Sequence, residues 1–308
     1  MTALASRFAA QGRTMLWIPF TLFAAFMQAC RNAFQKQLSQ NAGATAVTLA
    51  RFVLAWPLAA LYLWLLYRWQ PAQPQPAFTT GFGMLIVAAA VSQILATALM
   101  VRLFQLRNYA VGVGLAKSEA VLAAALGVFF FSAPLTSPGW LGVMMGGVAV
   151  WLLSGLSRAA GQGVPAGTLV TGLGSGLAFA LTSLWVREAS LALALPFPFG
   201  AAWVLLLVIS LQTLLLLGWL GLRNPAALGA LWRRPGLTAL VSLTSCLGSI
   251  GWFTAMSLES VALVKTLGQV EVLFTLMISA WYFREPLGRR DHGGLVLIVL
   301  AAVLVMWA

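Results

Sequence analysis

The chain has 308 residues, of which 61% are hydrophobic and only 8% are charged, and its net charge is +12. Soluble domains carry about 25% charged residues, so this composition excludes a water-soluble fold and indicates a polytopic membrane protein. The apolar runs are long and continuous, unlike the alternating strands of a membrane barrel. The basic residues are scattered and lie mostly at predicted helix ends, which favours membrane orientation over nucleic-acid binding.

The apolar runs predict ten helices, separated by short segments rich in proline, glycine and arginine. In chain order they cover residues 15–37, 44–68, 81–103, 109–132, 138–156, 166–190, 199–221, 236–257, 261–283 and 292–308. Arginines precede the first run, as in a signal peptide, but no small-residue cleavage pattern follows it, so we interpret this run as the first membrane helix. All connecting segments are short, and we expect no extramembrane domain.

Two parts of the sequence match each other in one ungapped register, residues 118–142 and residues 270–294. The aligned pairs, all 152 positions apart (271 minus 119), are Glu119 with Glu271, Phe129 with Trp281, Pro134 with Pro286, and Gly142 with Gly294. Each half then contains five helices, and because this number is odd, the halves would be inverted across the membrane. Inverted repeats recur in secondary transporters, with the binding site near the midplane.

The repeat predicts the domain organisation. We expect an N-terminal tail over residues 1–14, a first repeat over 15–156, a linker over 157–165 and a second repeat over 166–308. On this plan, the side of the membrane that holds both termini carries Arg7, Arg13, Arg68 and Arg187. The opposite side carries Lys36, Arg107, Arg158, Arg223, Arg233, Arg234, Arg284, Arg289 and Arg290. The positive-inside rule places the second side in the cytoplasm and both termini outside.

The matched glutamates, Glu119 and Glu271, lie about nine or ten residues into their predicted helices, near the middle of the hydrocarbon core. A charged side chain at that depth costs about 2.5–3.5 kcal/mol on insertion scales, so both should face the bundle interior. Their equivalent positions place them close to the expected pseudo-twofold axis. A carboxyl group there can bind substrate or carry a coupling proton; the alternative is a purely structural ion pair.

Other polar residues fall in the predicted membrane helices. Lys117, Lys265 and Arg51 can neutralise the glutamates, but Lys117 points away from Glu119 on its own helix and needs a partner on another helix. Uncharged residues at similar depth either line a cavity or join helices; they are Gln28, Gln93, Gln269, Ser118, Thr97 and Ser249. The predicted substrate or proton site comprises Glu119, Glu271, Lys117, Lys265, Gln269, Gln93, Gln28 and Arg51. Gly142 and Gly146 form a small-residue pattern typical of helix packing.

Each half has an acid in its fourth helix, then a proline turn, then a glycine-rich last helix. These motifs are KSEA (117–120), SAPL (132–135) and Gly142 in the first half, and GQVE (268–271), FREPL (283–287) and Gly293–Gly294 in the second. In these features nearly the whole chain resembles the drug/metabolite transporter superfamily, in its ten-helix EamA-type branch. The resemblance implies a bacterial inner-membrane carrier of small metabolites or drugs, often an exporter. It also implies cytoplasmic termini, in contrast to the charge count.

We therefore predict a secondary transporter of an amino-acid-like solute or an organic cation, working by alternating access. The sequence has no GxxxxGK[ST] loop for direct use of ATP. The alternatives are a membrane-embedded transferase, for which His292 and Asp291 lack a fitting motif, and a non-transporting subunit, which would not need the matched acids. We expect no enzymatic activity, cofactor, metal or nucleic acid. The expected partners are a small-molecule substrate, the lipid bilayer and a coupling proton, and the protein would be a monomer or homodimer.

Overall fold

A computed structural model describes residues 15–105, 115–131, 133, 135–153, 165–282 and 289–307, and no β-strand occurs within these ranges. The helices are α1 (Trp17–Ser39), α2 (Ala44–Ala50), α3 (Ala55–Trp69), α4 (Thr80–Phe104), α5 (Glu119–Phe130), α6 (Ser137–Leu153), α7 (Ala166–Ala192), α8 (Phe199–Arg223), α9 (Pro225–Trp232), α10 (Pro235–Leu258), α11 (Val261–Leu267), α12 (Glu271–Tyr282) and α13 (Arg289–Met306). The predicted tail (1–14), most of the predicted linker (157–165) and the FREPL motif (283–287) lie outside the described residues.

Five helical segments are long and apolar enough to cross a membrane. They are Ala44–Trp69, which contains both α2 and α3, and Thr80–Phe104, Ala166–Ala192, Phe199–Arg223 and Pro235–Leu258. Large apolar side chains such as Trp64, Met84 and Leu214 are exposed on their outer faces, where lipid would cover them. The predicted all-helical membrane architecture is confirmed at this level. The described part of the other predicted spans is shorter or more polar, so the count of ten spans stays a prediction.

Helices from the two halves pack against each other in a reciprocal pattern. The third predicted helix (α4) packs on the sixth (α7), and the eighth (α10) packs on the first (α1). Helices α3 and α8 form a further pair, as do α6 and α13. Because α7 also contacts α10 and α1 contacts α4, these four helices form a closed central ring. The ring encloses the site described below.

Small residues allow the closest of these approaches. A Cβ atom added at Gly251 of α10 would lie 2.8 Å from the carbonyl oxygen of Phe20 on α1. One added at Gly142 of α6 would lie 2.6 Å from Cγ2 of Val305 on α13. No side chain fits at either position without a shift of the helices, which is the usual reason for glycine at membrane helix interfaces. The packing role expected for Gly142 is confirmed.

The second predicted helix is interrupted between α2 and α3, although its sequence predicts a continuous helix. The interruption leaves the carbonyl oxygen of Ala50 and the N–H of Leu54 without their helical hydrogen bond, and one hydroxyl group from α10 binds both. Ser242 Oγ of α10 donates to the carbonyl oxygen of Ala50 over 2.6 Å and accepts from the backbone N–H of Leu54 at 3.3 Å. Thr213 Oγ1 of α8 donates over 3.2 Å to the carbonyl oxygen of Phe52, which also accepts from the backbone N–H groups of Ala55 and Trp56. Tertiary contacts, rather than local propensity, thus allow this break.

Candidate functional site

Both matched glutamates begin a helix directly after an interruption. α5 begins at Glu119, after a turn at residues 117–118, and α12 begins at Glu271, after the 3₁₀ turn Gly268–Val270. The expectation that each glutamate lies within a continuous helix is therefore wrong. The backbone N–H of Glu271 bonds back to the carbonyl oxygen of Gly268, within the 3₁₀ turn. Interrupted helices thus present both acids.

Glycine residues let neighbouring side chains and backbone approach both interruptions. A Cβ atom at Gly176 of α7 would lie 2.6 Å from Oγ of Ser118 and 2.9 Å from the carbonyl oxygen of Ala116. At the other interruption, the indole ring of Trp252 lies against Gly268 and leaves no room for a side chain there. The two breaks are therefore held by contacts with α7 and α10, the central helices.

Glu271 is 2% exposed and accepts hydrogen bonds from three side chains outside its own helix. Asn32 Nδ2 donates to Oε1 over 2.7 Å. Gln28 Nε2 donates to Oε2, and Lys117 Nζ forms an ion pair with the same oxygen. Lys117 thereby has the interhelical partner that the sequence predicted for it.

Glu119 has a similar but more accessible environment. Lys265 Nζ lies 2.7 Å from its Oε1, and Ser183 Oγ donates to that oxygen over 3.2 Å. The same ammonium lies 4.3 Å from the ring centroid of Trp252, a cation–π contact. Trp252 Nε1 in turn donates to Oε1 of Gln28 over 2.9 Å. Because Gln28 also binds the second glutamate, one polar network connects both ion pairs.

The ion pairs cross between the halves. Lys117 of the first half binds Glu271 of the second, and Lys265 of the second binds Glu119 of the first. The glutamates are equivalent in the repeat register, but the lysines are not, since Lys117 aligns with position 269, a glutamine. The crossed arrangement therefore depends on how the halves are docked and not on a strict copy of one pair.

A cavity lies inside the ring of α1, α4, α7 and α10. Six of the eight predicted site residues line it: Gln28, Arg51, Gln93, Lys117, Glu119 and Lys265. An adjoining space is lined by the other two, Gln269 and Glu271, together with four of the same residues. The structure thus brings all eight predicted residues together. Their role in binding a substrate or proton stays a prediction.

The two remaining glutamines differ in their contacts. Gln93 Oε1 accepts a hydrogen bond from Gln212 Nε2 of α8 over 2.7 Å. Gln269 is 3% exposed, and within the described ranges neither of its amide atoms has a hydrogen-bond partner. Its amide lies against Gly146 of α6. A buried amide without a partner is costly, and Gln269 lines the adjoining space.

Arg51 lies in the interruption between α2 and α3, where its side chain is 3% exposed. Its Nη1 donates to Oγ1 of Thr97 over 2.7 Å. The guanidinium carbon lies 5.3 Å from the ring centroid of Phe52 and 6.0 Å from that of Phe179. Aromatic faces and a hydroxyl group therefore hold this cation at the cavity wall.

Several members of the site, mainly on α1, were not predicted from the sequence. Arg31 is 4% exposed, lines the larger cavity and donates from Nη2 to Oδ1 of Asn32 over 3.0 Å. A signal for these residues was present, because Gln28, Arg31, Asn32 and Gln35 follow the spacing of one helix face. Ser183 and Trp252 were also missed, and nothing in their local sequence distinguishes them.

No family model and no curated protein matches the sequence. The fold, however, matches 24 chains of solved structures. One of them, a crystal structure of a protein, covers 95% of this chain and 95% of its own length, with a TM-score of 0.69 and 15% sequence identity. At this identity the likeness shows that the chain shares its fold with a solved protein over nearly its whole length.

Proposed function

We propose that this chain is a secondary transporter, which moves a small metabolite or drug-like solute across the bacterial inner membrane by alternating access. One observation carries the proposal: two crossed ion pairs, Lys117–Glu271 and Lys265–Glu119, join the halves at interrupted helices beside a central cavity. Interrupted helices that direct their ends at a midplane site are a recurring feature of transporters. The resemblance to the EamA-type branch supports the same assignment and the expectation of export.

The proposal includes ten membrane spans, arranged as two inverted repeats of five. The helix contacts support this arrangement. In the predicted repeat, α4 corresponds to α10 and α7 corresponds to α1, so the contact of α4 with α7 corresponds to the contact of α10 with α1. In the other two contacts, α3 with α8 and α6 with α13, each helix packs against its own repeat equivalent. A twofold relation between the halves requires both properties.

The ion pairs supply a means of coupling proton binding to the motion that moves the solute. Alternating access rocks one repeat against the other, and this motion must break or rebuild contacts between the halves. A proton on either glutamate removes the carboxylate charge and weakens its attraction to the lysine. Lys265, once released, keeps its contact with the ring of Trp252. Protonation and solute binding would therefore favour the rearranged state over the one with both pairs closed.

A flux assay on purified protein in liposomes tests the proposal. The liposomes contain a pH-sensitive dye, and amino acids, organic cations and organic anions are supplied separately, with and without a pH gradient. We expect the wild type to accumulate at least one class, and the double variant Glu119→Gln/Glu271→Gln to lose this flux. Glu188→Gln, which changes an acid of α7 that does not line the cavity, is the control and should transport normally. Flux no greater than that of protein-free liposomes for every class would contradict the proposal.

A further inference from the structure

The central cavity carries more positive charge than its carboxylates balance. Four cationic side chains line it: Arg31, Arg51, Lys117 and Lys265. The lysines already neutralise Glu119 and Glu271, one each. The arginines therefore add two formal positive charges to a buried space.

Within the part of the chain that the structure describes, both arginines bind only neutral side chains. Arg31 donates to Asn32 and Arg51 donates to Thr97, and the Nε atom of each arginine has no hydrogen-bond partner there. A guanidinium group carries five N–H donors. Buried cations are normally paired or bind an anion, because an uncompensated buried charge is strongly destabilising. Two buried guanidinium groups thus face the cavity without a carboxylate partner among the described residues.

The other walls of the cavity are apolar or aromatic. Phe179 of α7, Trp252, Phe253 and Met256 of α10, and Met100 of α4 line it. Such walls accept the hydrocarbon or ring of a small molecule. The site therefore combines an anion-binding end with an apolar body.

We infer that the cavity binds an organic anion, with its carboxylate held by Arg31 and Arg51 and its apolar part against the aromatic walls. The inference rests on the proposed transport function and names the substrate class. The planar fork of an arginine matches the geometry of a carboxylate, which is the reason for two arginines rather than two more lysines.

This inference revises the substrate class expected from the sequence. An organic cation would meet four basic side chains, and both carboxylates would first have to leave their lysines. The carboxylate of an amino acid would bind the two arginines, but its ammonium group would have to displace Lys265 from Glu119. An anion with an uncharged apolar body requires neither exchange.

Binding to the purified protein in detergent tests the inference without any transport step. The probes are benzoate and phenylacetate, with benzyl alcohol and benzylamine as the neutral and cationic counterparts, measured by titration calorimetry. We expect both anions to bind and the two counterparts not to bind. Arg51→Met should weaken anion binding by about tenfold or more, since a charge-assisted hydrogen bond is lost. Arg102→Met, which changes an exposed arginine of α4, should bind as the wild type does.

Stability separates a binding role from a structural one. Arg51→Met removes a buried cation that has no carboxylate partner, so its unfolding temperature should equal or exceed that of the wild type. Should this variant not fold, Arg31→Lys and Arg51→Lys keep the charge but lose the fork, and both should bind benzoate more weakly. Unchanged benzoate affinity in the lysine and methionine variants would overturn the inference, as would tighter binding of benzylamine.

The outcomes also distinguish the two proposals. Flux of an amino acid or an organic cation, without benzoate or phenylacetate binding, would overturn the anion site and leave the transport function standing. Arginine-dependent benzoate binding, without flux of any solute, would support the anion site and contradict the transport function.

Discussion

Replacement of Glu271 by glutamine should lower the free energy of unfolding by several kcal/mol. The carboxylate is 2% exposed, and all three of its side-chain partners, Asn32, Gln28 and Lys117, are donors. Glutamine offers one oxygen and one NH₂ group, so a donor must face a donor on one side. The change also leaves the Lys117 ammonium without its counter-ion. Breaking a buried pair in this way costs about 3–5 kcal/mol.

A double-mutant cycle isolates the ion pair from the other effects. Lys117→Met alone leaves Glu271 with amide donors only, and it should also be destabilising. In the double variant both charges are absent, and similar neutral replacements of buried pairs are often close to neutral. The double variant should therefore be more stable than the sum of the single losses predicts, by about 2–3 kcal/mol.

Equilibrium unfolding in mixed micelles, followed by circular dichroism, measures the three free energies, with Glu188→Gln as a control that should stay close to the wild type. Flux measured on the same preparations shows whether loss of transport follows loss of stability. Additive losses in Glu271→Gln, Lys117→Met and the double variant would refute the reasoning, because they would mean that the two side chains do not interact. Unchanged flux in Glu119→Gln, Glu271→Gln and their double variant would remove the glutamates from the transport mechanism.

Four further outcomes are expected. Arg187→Met should lower the unfolding free energy by about 1–3 kcal/mol, because Arg187 donates to two backbone carbonyl groups at the end of α10; thermal unfolding measures this loss. Gly251→Ala should be destabilising by about 1–3 kcal/mol, since its Cβ would lie 2.8 Å from the carbonyl oxygen of Phe20. Gly218→Ala, at a position of α8 with open space around it, should be neutral or stabilising in the same assay. If the count of basic residues sets the orientation, Ala308 lies in the periplasm, and alkaline phosphatase fused after it should be active. An inactive fusion would place that end of the chain in the cytoplasm.

Much of the site could be predicted from the sequence, because membrane helices make charge conspicuous. Glu119 and Glu271 stand out in apolar runs, and their repeat register indicated that they belong to one site. The spacing rule for helix faces excluded Glu119 as the partner of Lys117 and required one on another helix, which proved to be Glu271. The spacing rule could not indicate which helix carries this partner, because that depends on how the two halves dock.

The helix interruptions were beyond local sequence reasoning. Residues 44–68 have the pattern of one continuous helix, yet its hydrogen bonding is interrupted near Arg51, where Ser242, from a distant helix, satisfies the freed backbone groups of Ala50 and Leu54. The break before Glu119 likewise depends on the close approach of Gly176. These contacts join residues far apart in the chain, so no window of the sequence contains them.

The crossed ion pairs have a consequence that a pair within one half would not have. Lys117 and Glu119 are two residues apart and face different directions, so the first half cannot neutralise its own charges at this point. Its acid depends on Lys265 and its lysine depends on Glu271, both from the second half. Any motion that separates the halves here must therefore supply substitutes, such as a proton for a carboxylate or an anion for a lysine. Buried pairs add little net stability compared with apolar packing, so the arrangement is better explained by this link between charge and the relative position of the halves than by a gain in stability.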